Sequence, residues 1–361
     1  FWPTNGSTDD VMIRLPERFR QTREGTYDRQ LYFLNLALVE AAVKDLPRIA
    51  IPASDERALD IDLDGDGALR ANVTVLARGD HYLGAASGDA LHPFLYPQGT
   101  EFLHTVRYID YRQGEGIVPA RRLKEVRYMR KHTLLSPEEV RGRYQALEAA
   151  EEGEEDPDAP VALRDRGDLG FDNGFGWYVQ GFIEDADGAL RPQTHEEGLF
   201  CMGCHRSIGA TIDHTFAFPR KVTGAAGWGY IDLHGMADAP LVGEQQAEIL
   251  QYFQRVGGGD EFRENAELRA RFFRDGNRVR VRKVRAADVY GLIAPSAQRA
   301  MALNKAYRIV VREQSYIRGR DAVLAPMTNV YREVDPATAP TLAPERQYRS
   351  DIRLDWSGGS H

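Results

Sequence analysis

The sequence predicts an α+β fold, with an antiparallel, β-rich N-terminal half and a mainly helical C-terminal half. Three observations predict it. Residues 71–77, 99–111 and 122–134 alternate in polarity or concentrate β-branched and aromatic side chains, as half-buried strands do. Apolar residues three and four positions apart run through 26–45 and again through 295–318, as on the buried stripe of a helix. The Asp185-Ala186-Asp187-Gly188 turn joins two more short apolar segments as a hairpin. Composition agrees with a folded chain: 361 residues with 42% hydrophobic and 10% aromatic content suffice for one large or two ordinary domains. The formal net charge of -8 leaves no basic excess to neutralise phosphates, which argues against nucleic acid as a partner.

Taken in order, residues 1–25 are polar with little periodicity and are expected to pack over the surface. Leu31, Leu34, Leu38, Ala42 and Leu46 then mark an amphipathic helix that Pro47 closes. Asp62, Asp64, Asp66 and Gly67 occupy positions one, three, five and six of a calcium loop, but position twelve is Val73 in place of a bidentate Glu. The segment reads either as a calcium site or as a solvated β-turn. In the second strand, Phe102, His104, Val106 and Tyr108 share one face under period two. Ser136 caps a helix that starts at Pro137 and runs to about Ala150. The acidic run from Glu151 to Pro157 reads as a linker or solvated loop, or as a docking patch for a basic partner.

The hairpin 175–192 delivers the chain to a short helix over 196–204. Further helices are expected over 241–256 and 261–273, a strand over 277–284, and a Pro-rich tail from Asp335. The organisation is therefore a β-rich region 1–150, an acidic loop 151–170, a region 171–334 built around the helix that begins at Glu196, and a tail 335–361.

That helix carries Cys201-Met202-Gly203-Cys204-His205, which contains both cysteines of the chain. Two thiols at this spacing can form thioethers to the vinyl groups of one porphyrin, with the following histidine as proximal iron ligand, which is the attachment pattern of a c-type haem. A redox dithiol, a disulfide and a zinc site are the rival readings. The first needs no trailing histidine, the second closes too short a loop to stabilise much, and the third lacks further cysteines.

Through Cys201, Cys204 and His205 the chain resembles the c-type cytochromes, over about a tenth of its length. The resemblance implies one covalent haem c and an exported, periplasmic or extracellular protein from which a signal peptide has been removed. The start Phe1-Trp2-Pro3-Thr4, with no Met, charged start or apolar run, is read as that of a mature product, and no stretch is apolar and long enough to span a bilayer. Arg220 and Lys221 are candidate propionate partners, and Trp228 and Tyr230 candidate walls of the haem edge.

The sixth ligand decides the chemistry. Met327, loop-borne after Pro326, and His104 are the two distal candidates; His195, His214, His234, Met236 and Met301 are weaker, and Met202 cannot reach the distal side. A filled site implies one-electron transfer with a redox partner protein. An open one implies a haem enzyme or sensor acting on a small oxidant, with His104, Arg107 or Tyr108 distal. A third reading makes the chain a subunit of an extracellular redox assembly, and a homo-oligomer is left open.

Overall fold

The computed structural model describes residues 7–153, 164–206, 211–216, 220–256, 265–320 and 353–357, with isolated residues at 322, 324, 337 and 344. Chain order begins with strand β1 (Ser7–Arg14), helix α1 (Arg29–Val43), strand β2 (Arg48–Ser54), the one-turn helix α2 (Glu56–Leu59) and strand β3 (Val73–Ala77). The long strands β4 (Glu101–Arg112) and β5 (Gly116–Lys131) and helix α3 (Pro137–Gly153) follow. Strands β6 (Arg164–Asp165), β7 (Phe171–Asp172), β8 (Trp177–Glu184) and β9 (Leu190–Pro192) lead into helix α4 (His195–His205). The remainder is mainly helical: α5 (Glu248–Val256), α6 (Ala266–Phe272), α7 (Val281–Arg285), α8 (Val289–Ile293) and α9 (Ala297–Glu313).

The chain is thus a mixed α and β protein with an antiparallel sheet in its N-terminal half and helices later. The main sheet runs β1-β4-β5-β8-β7-β6, with β9 on β8, and β2 and β3 form a separate ribbon. The periodicity of 26–45 becomes α1, whose N-cap Asp28 accepts from the Leu31 amide. This helix is buried nearly all round, because the sheet core and the β2–β3 ribbon both pack on it. Phe102, Met129, Trp177 and Val179 from successive sheet strands meet Leu34, Leu38 and Ala42 in that core. A second core forms around Phe253, Phe272 and Leu292, and a third where Tyr307 and Val311 of α9 cover Tyr108 and Ile183.

Three local expectations are corrected. The N-terminal segment is partly an edge strand: β1 pairs with β4 from Ser7↔Tyr108 to Arg14↔Glu101. The expected strand 277–284 is a two-residue strand at Arg278–Val279 followed by α7, since Gly276 at φ 71 turns the chain early. The helix expected over 241–256 starts only at Glu248, because the Asp238 carboxylate caps the amides of Ile249 and Leu250 there. Residues 154–163 of the acidic loop, Met327 and most of the Pro-rich tail lie outside the described residues.

Candidate functional site

Helix α4 is fixed at its start by a capping box. The Glu197 amide donates to Thr194 Oγ1 at 3.3 Å, and the Thr194 amide donates to Glu197 Oε2 at 2.8 Å. Arg191 then clamps the Glu197 carboxylate at 2.7 and 2.8 Å, which holds it charged well below the usual carboxylate range. The helix lies close to the sheet at Gly198, where an added Cβ would stand 2.1 Å from the Phe171 ring.

Cys201 and His205 are four residues apart and so share one face of α4. Cys201 is buried, its Sγ 3.7 Å from the Gln193 side-chain amide and 3.8 Å from Arg320 Nη1. With the Gln193 amide turned so that its oxygen faces Arg320, that oxygen accepts from Nη1 at 2.9 Å and Nη2 at 3.0 Å. Arg320 also donates to Glu125 Oε2 at 3.1 Å, and Arg127, the register partner of His104, donates to the same oxygen at 2.9 Å. Buried Glu125 stays below its ordinary value, because the charges of Arg127 and Arg320 outweigh the cost of burial.

His205 is 8% exposed. Its Nδ1 lies 3.0 Å from the His214 carbonyl oxygen, and its own carbonyl accepts from Asn173 Nδ2 at 2.9 Å. Asp213 and His214 adopt left-handed backbone conformations, φ 49 and 57, and this turn returns the His214 carbonyl to the imidazole. The turn is anchored by the buried Lys131–Asp213 ion pair and by the Tyr96 amide, which donates to Asp213 at 3.0 Å. Burial lowers the pKa of His205, with the His214 carbonyl opposing and the Arg127 and His104 charges adding to the fall. Burial also pushes His214 down to about 4, its ring tilted 30° to that of Phe175 with the centroids 3.9 Å apart. Among the candidate distal residues, His104 is therefore within electrostatic reach of His205, and Met327 lies outside the described residues. The Cys204 side chain is likewise outside them.

The other sequence candidates have other surroundings. Arg220 pairs with Asp238 at 3.2 Å and with Glu248, and Lys221 pairs with Glu40 at 2.6 Å. Trp228 stacks beneath the Lys221 ammonium, 4.2 Å from it, while Tyr230 is 74% exposed. Arg107 pairs with Asp10, and Tyr108 donates to Glu184 at 2.5 Å. In the 62–67 loop, Asp62 accepts from the Gly65 and Gly67 amides, and Asp66 pairs with Arg70. Carboxylate oxygens of Asp62, Asp64 and the buried Glu56 lie within 4.8 Å of one another, so α2 brings an acid to the loop that position twelve does not.

Sequence reasoning missed a chamber of about 550 Å³ between α1, β2, the 221–228 segment and residues 353–357. Its walls include Ile13, Val39, Val43, Ile49, Ile212 and Trp228. Gly224 makes the close approach of the 221–228 segment possible, at φ 74 with a would-be Cβ 2.2 Å from the Ala50 carbonyl oxygen. Residues 353–357 are held there by the Val242 amide on the Arg353 carbonyl at 2.8 Å and the Asp355 amide on Pro240 at 2.7 Å. The charged lining is mixed. Buried Glu40 binds Lys221 at 2.6 Å and Lys44 at 3.2 Å, Asp45 binds Arg353 at 3.4 Å, Asp355 is a further lining carboxylate, and exposed Arg48 has no carboxylate partner among the described residues. Phe216 joins the chamber to the α4 motif, lining the former and standing edge-on to His205 at 5.0 Å.

Residues 1–290 match the profile of a lipoprotein family. An uncharacterized lipoprotein of Aquifex aeolicus (strain VF5) is 32% identical over 358 residues, covering 89% of this chain and 58% of the relative, so the chain spans under two thirds of that relative's length. No solved structure matches. The family match runs through the Cys201–His205 motif and overturns the resemblance to c-type cytochromes. With it go the one-electron carrier, the haem enzyme or sensor and the redox-assembly subunit, all of which rested on five residues in a chain whose wider sequence belongs elsewhere.

Proposed function

The chain belongs to this lipoprotein family, and from that premise we propose an exported, lipid-anchored protein, periplasmic or extracellular, that binds a small amphiphilic molecule in its apolar chamber. The lipid anchor of this reading comes from the family match; among the described residues no helix is long and apolar enough to cross a membrane. The observation that carries the binding role is the chamber itself. It is a concave site of about 550 Å³, walled by aliphatic side chains and Trp228, with a few convergent charges. The apolar body of a ligand fits against Val39, Val43, Ile49 and Trp228, and an anionic end fits Arg48 at the rim. The Glu40–Lys221–Lys44 group is satisfied within the protein, so it shapes the wall without demanding a charged ligand in the interior.

The test is a titration with anilinonaphthalene sulfonate, which has an apolar body and one anionic group. A saturable, single-site rise in fluorescence that a long-chain carboxylic acid displaces supports this reading. Absence of a saturable rise overturns it.

A separate proposal concerns the α4 motif and is independent of any cytochrome identity. Cys201 and Cys204 would hold a haem c covalently, and His205 would ligate its iron. The supporting observation is the Nδ1 contact to the His214 carbonyl at 3.0 Å. A ligating imidazole characteristically donates one nitrogen to such an acceptor, which fixes the tautomer and leaves Nε2 for the metal. Bound haem would supply an iron centre; the protein's own part is to bury and orient the imidazole. A pyridine haemochrome spectrum of the protein purified from its native membranes tests this, since a thioether-linked haem survives acid–acetone extraction and its absence refutes the proposal.

A further inference from the structure

We propose that a second, polar cavity beside the C-terminal end of α4 binds a phosphate group. The cavity, of about 420 Å³, is lined by Arg143 of α3, Arg164 of β6, Arg206 at the end of α4, and His132, Asp172 and Asn173. Unlike the apolar chamber, it is built from groups suited to an oxyanion.

Arg143 is positioned through a donation from Nη1 to the Gly174 carbonyl, which leaves its other N–H groups for a ligand. Arg164 has no carboxylate within ion-pair distance among the described residues. The single carboxylate of the lining, Asp172, is already engaged: it accepts from the Gly174 amide at 2.9 Å and lies 3.5 Å from Arg166 and 3.6 Å from His132. Its contacts hold it ionised below the usual range. Asn173 is fully buried and bonded to the backbone of His205, Phe175 and Trp177, so the floor of the cavity is rigid.

Charge decides between ligand classes. Asp172 is answered by Arg166, so Arg143 and Arg164 bring two positive charges to the cavity, and a phosphate group at neutral pH carries about -1.5 to -2. A single carboxylate would leave one of those charges unanswered. Guanidinium forks also match the spacing of phosphate oxygens and bind them in pairs. The phosphate can belong to a soluble compound or to the headgroup of an anionic lipid, the second being favoured by the family's membrane attachment.

The test is calorimetric titration of the full chain with inorganic phosphate at low ionic strength, beside Arg164→Gln and Arg143→Gln/Arg164→Gln. Both side chains are exposed, so the variants should keep the parent melting curve. The expected result is a saturable phosphate heat that weakens at least tenfold in the single variant and vanishes in the double. No heat in the parent chain, or equal heat in all three, overturns the proposal. Sedimentation with phosphatidylcholine vesicles, with and without phosphatidic acid, then separates the sources. Binding to the acidic vesicles that Arg164→Gln abolishes identifies a lipid headgroup. Phosphate heat without vesicle binding identifies a soluble phosphate compound. Vesicle binding that ignores the substitutions, in a chain with no phosphate heat, again overturns the proposal.

Discussion

Removing one member of the Glu40 group should cost more than removing any surface charge, and which member is removed should matter. Lys221 and Glu40 are each 3% exposed and 2.6 Å apart, and Lys44, 15% exposed, approaches the same carboxylate at 3.2 Å. Deleting one partner of a buried pair strands the other and costs about 3–5 kcal/mol. In Lys221→Met, Glu40 keeps Lys44 and the Gly224 amide at 3.3 Å, so the loss should be near about 3 kcal/mol. In Glu40→Gln both ammonium groups lose their counter-charge, and the loss should approach about 5 kcal/mol. At roughly 2 °C per kcal/mol for a chain of this size, the melting temperature should fall by about 6 and 10 °C respectively. Paired thermal and urea melts read both values. A smaller loss in Glu40→Gln than in Lys221→Met, or losses under about 1 kcal/mol in both, would refute the reasoning.

The same group gives a pH signature. Burial lowers Lys221 from 10.5 to about 8, against the pull of Glu40. Between these values the unfolded chain holds a proton that the folded chain has released, so this residue makes stability rise with pH from about 8 toward 10.5. Urea melts across that window should show a rise in the parent chain that Lys221→Met flattens. An unchanged slope in the variant would contradict the assignment. Gly198→Ala should cost about 1–3 kcal/mol, because its methyl would meet the Phe171 ring at 2.1 Å and α4 must lift from the sheet; a neutral melt would contradict that packing. We also propose calcium at Glu56, Asp62 and Asp64, for which a hundredfold excess over Kd should add about 2.7 kcal/mol relative to chelator, and Asp62→Asn should abolish the gain. Equal melts in calcium and chelator would exclude the ion.

Local elements were legible where local chemistry determines them. The Leu31–Leu34–Leu38 spacing, the Ser136 cap and the alternation from Phe102 to Tyr108 each correspond to an element with nearly the expected bounds. β1 was not legible, because Ser7, Thr8, Asp9 and Asp10 mask its alternation and an edge strand needs only β4 as partner. Residues 278–284 misled because Val279, Val281 and Val284 suit either period, and only the turn at Gly276 decides. The motif at Cys201–His205 is visible as a string, but the groups around it come from His104, Glu125, Arg127 and Arg320, far apart in the chain. The chamber is less visible still. Its Glu40–Lys221 pair spans 181 residues, and Arg353 reaches back to the Lys44 carbonyl over 309. No local pattern records such pairings, and a five-residue motif outweighed them in the functional reading.

The most direct test of the central claim is ligand titration of the parent chain beside Val242→Trp. Val242 lines the chamber yet is 39% exposed, so an indole there should obstruct the chamber without disturbing the core. Saturable, one-to-one binding of anilinonaphthalene sulfonate to the parent chain, reduced at least tenfold in the variant at an unchanged melting temperature, is the predicted result. Equal binding by both proteins would place the ligand elsewhere and contradict the account.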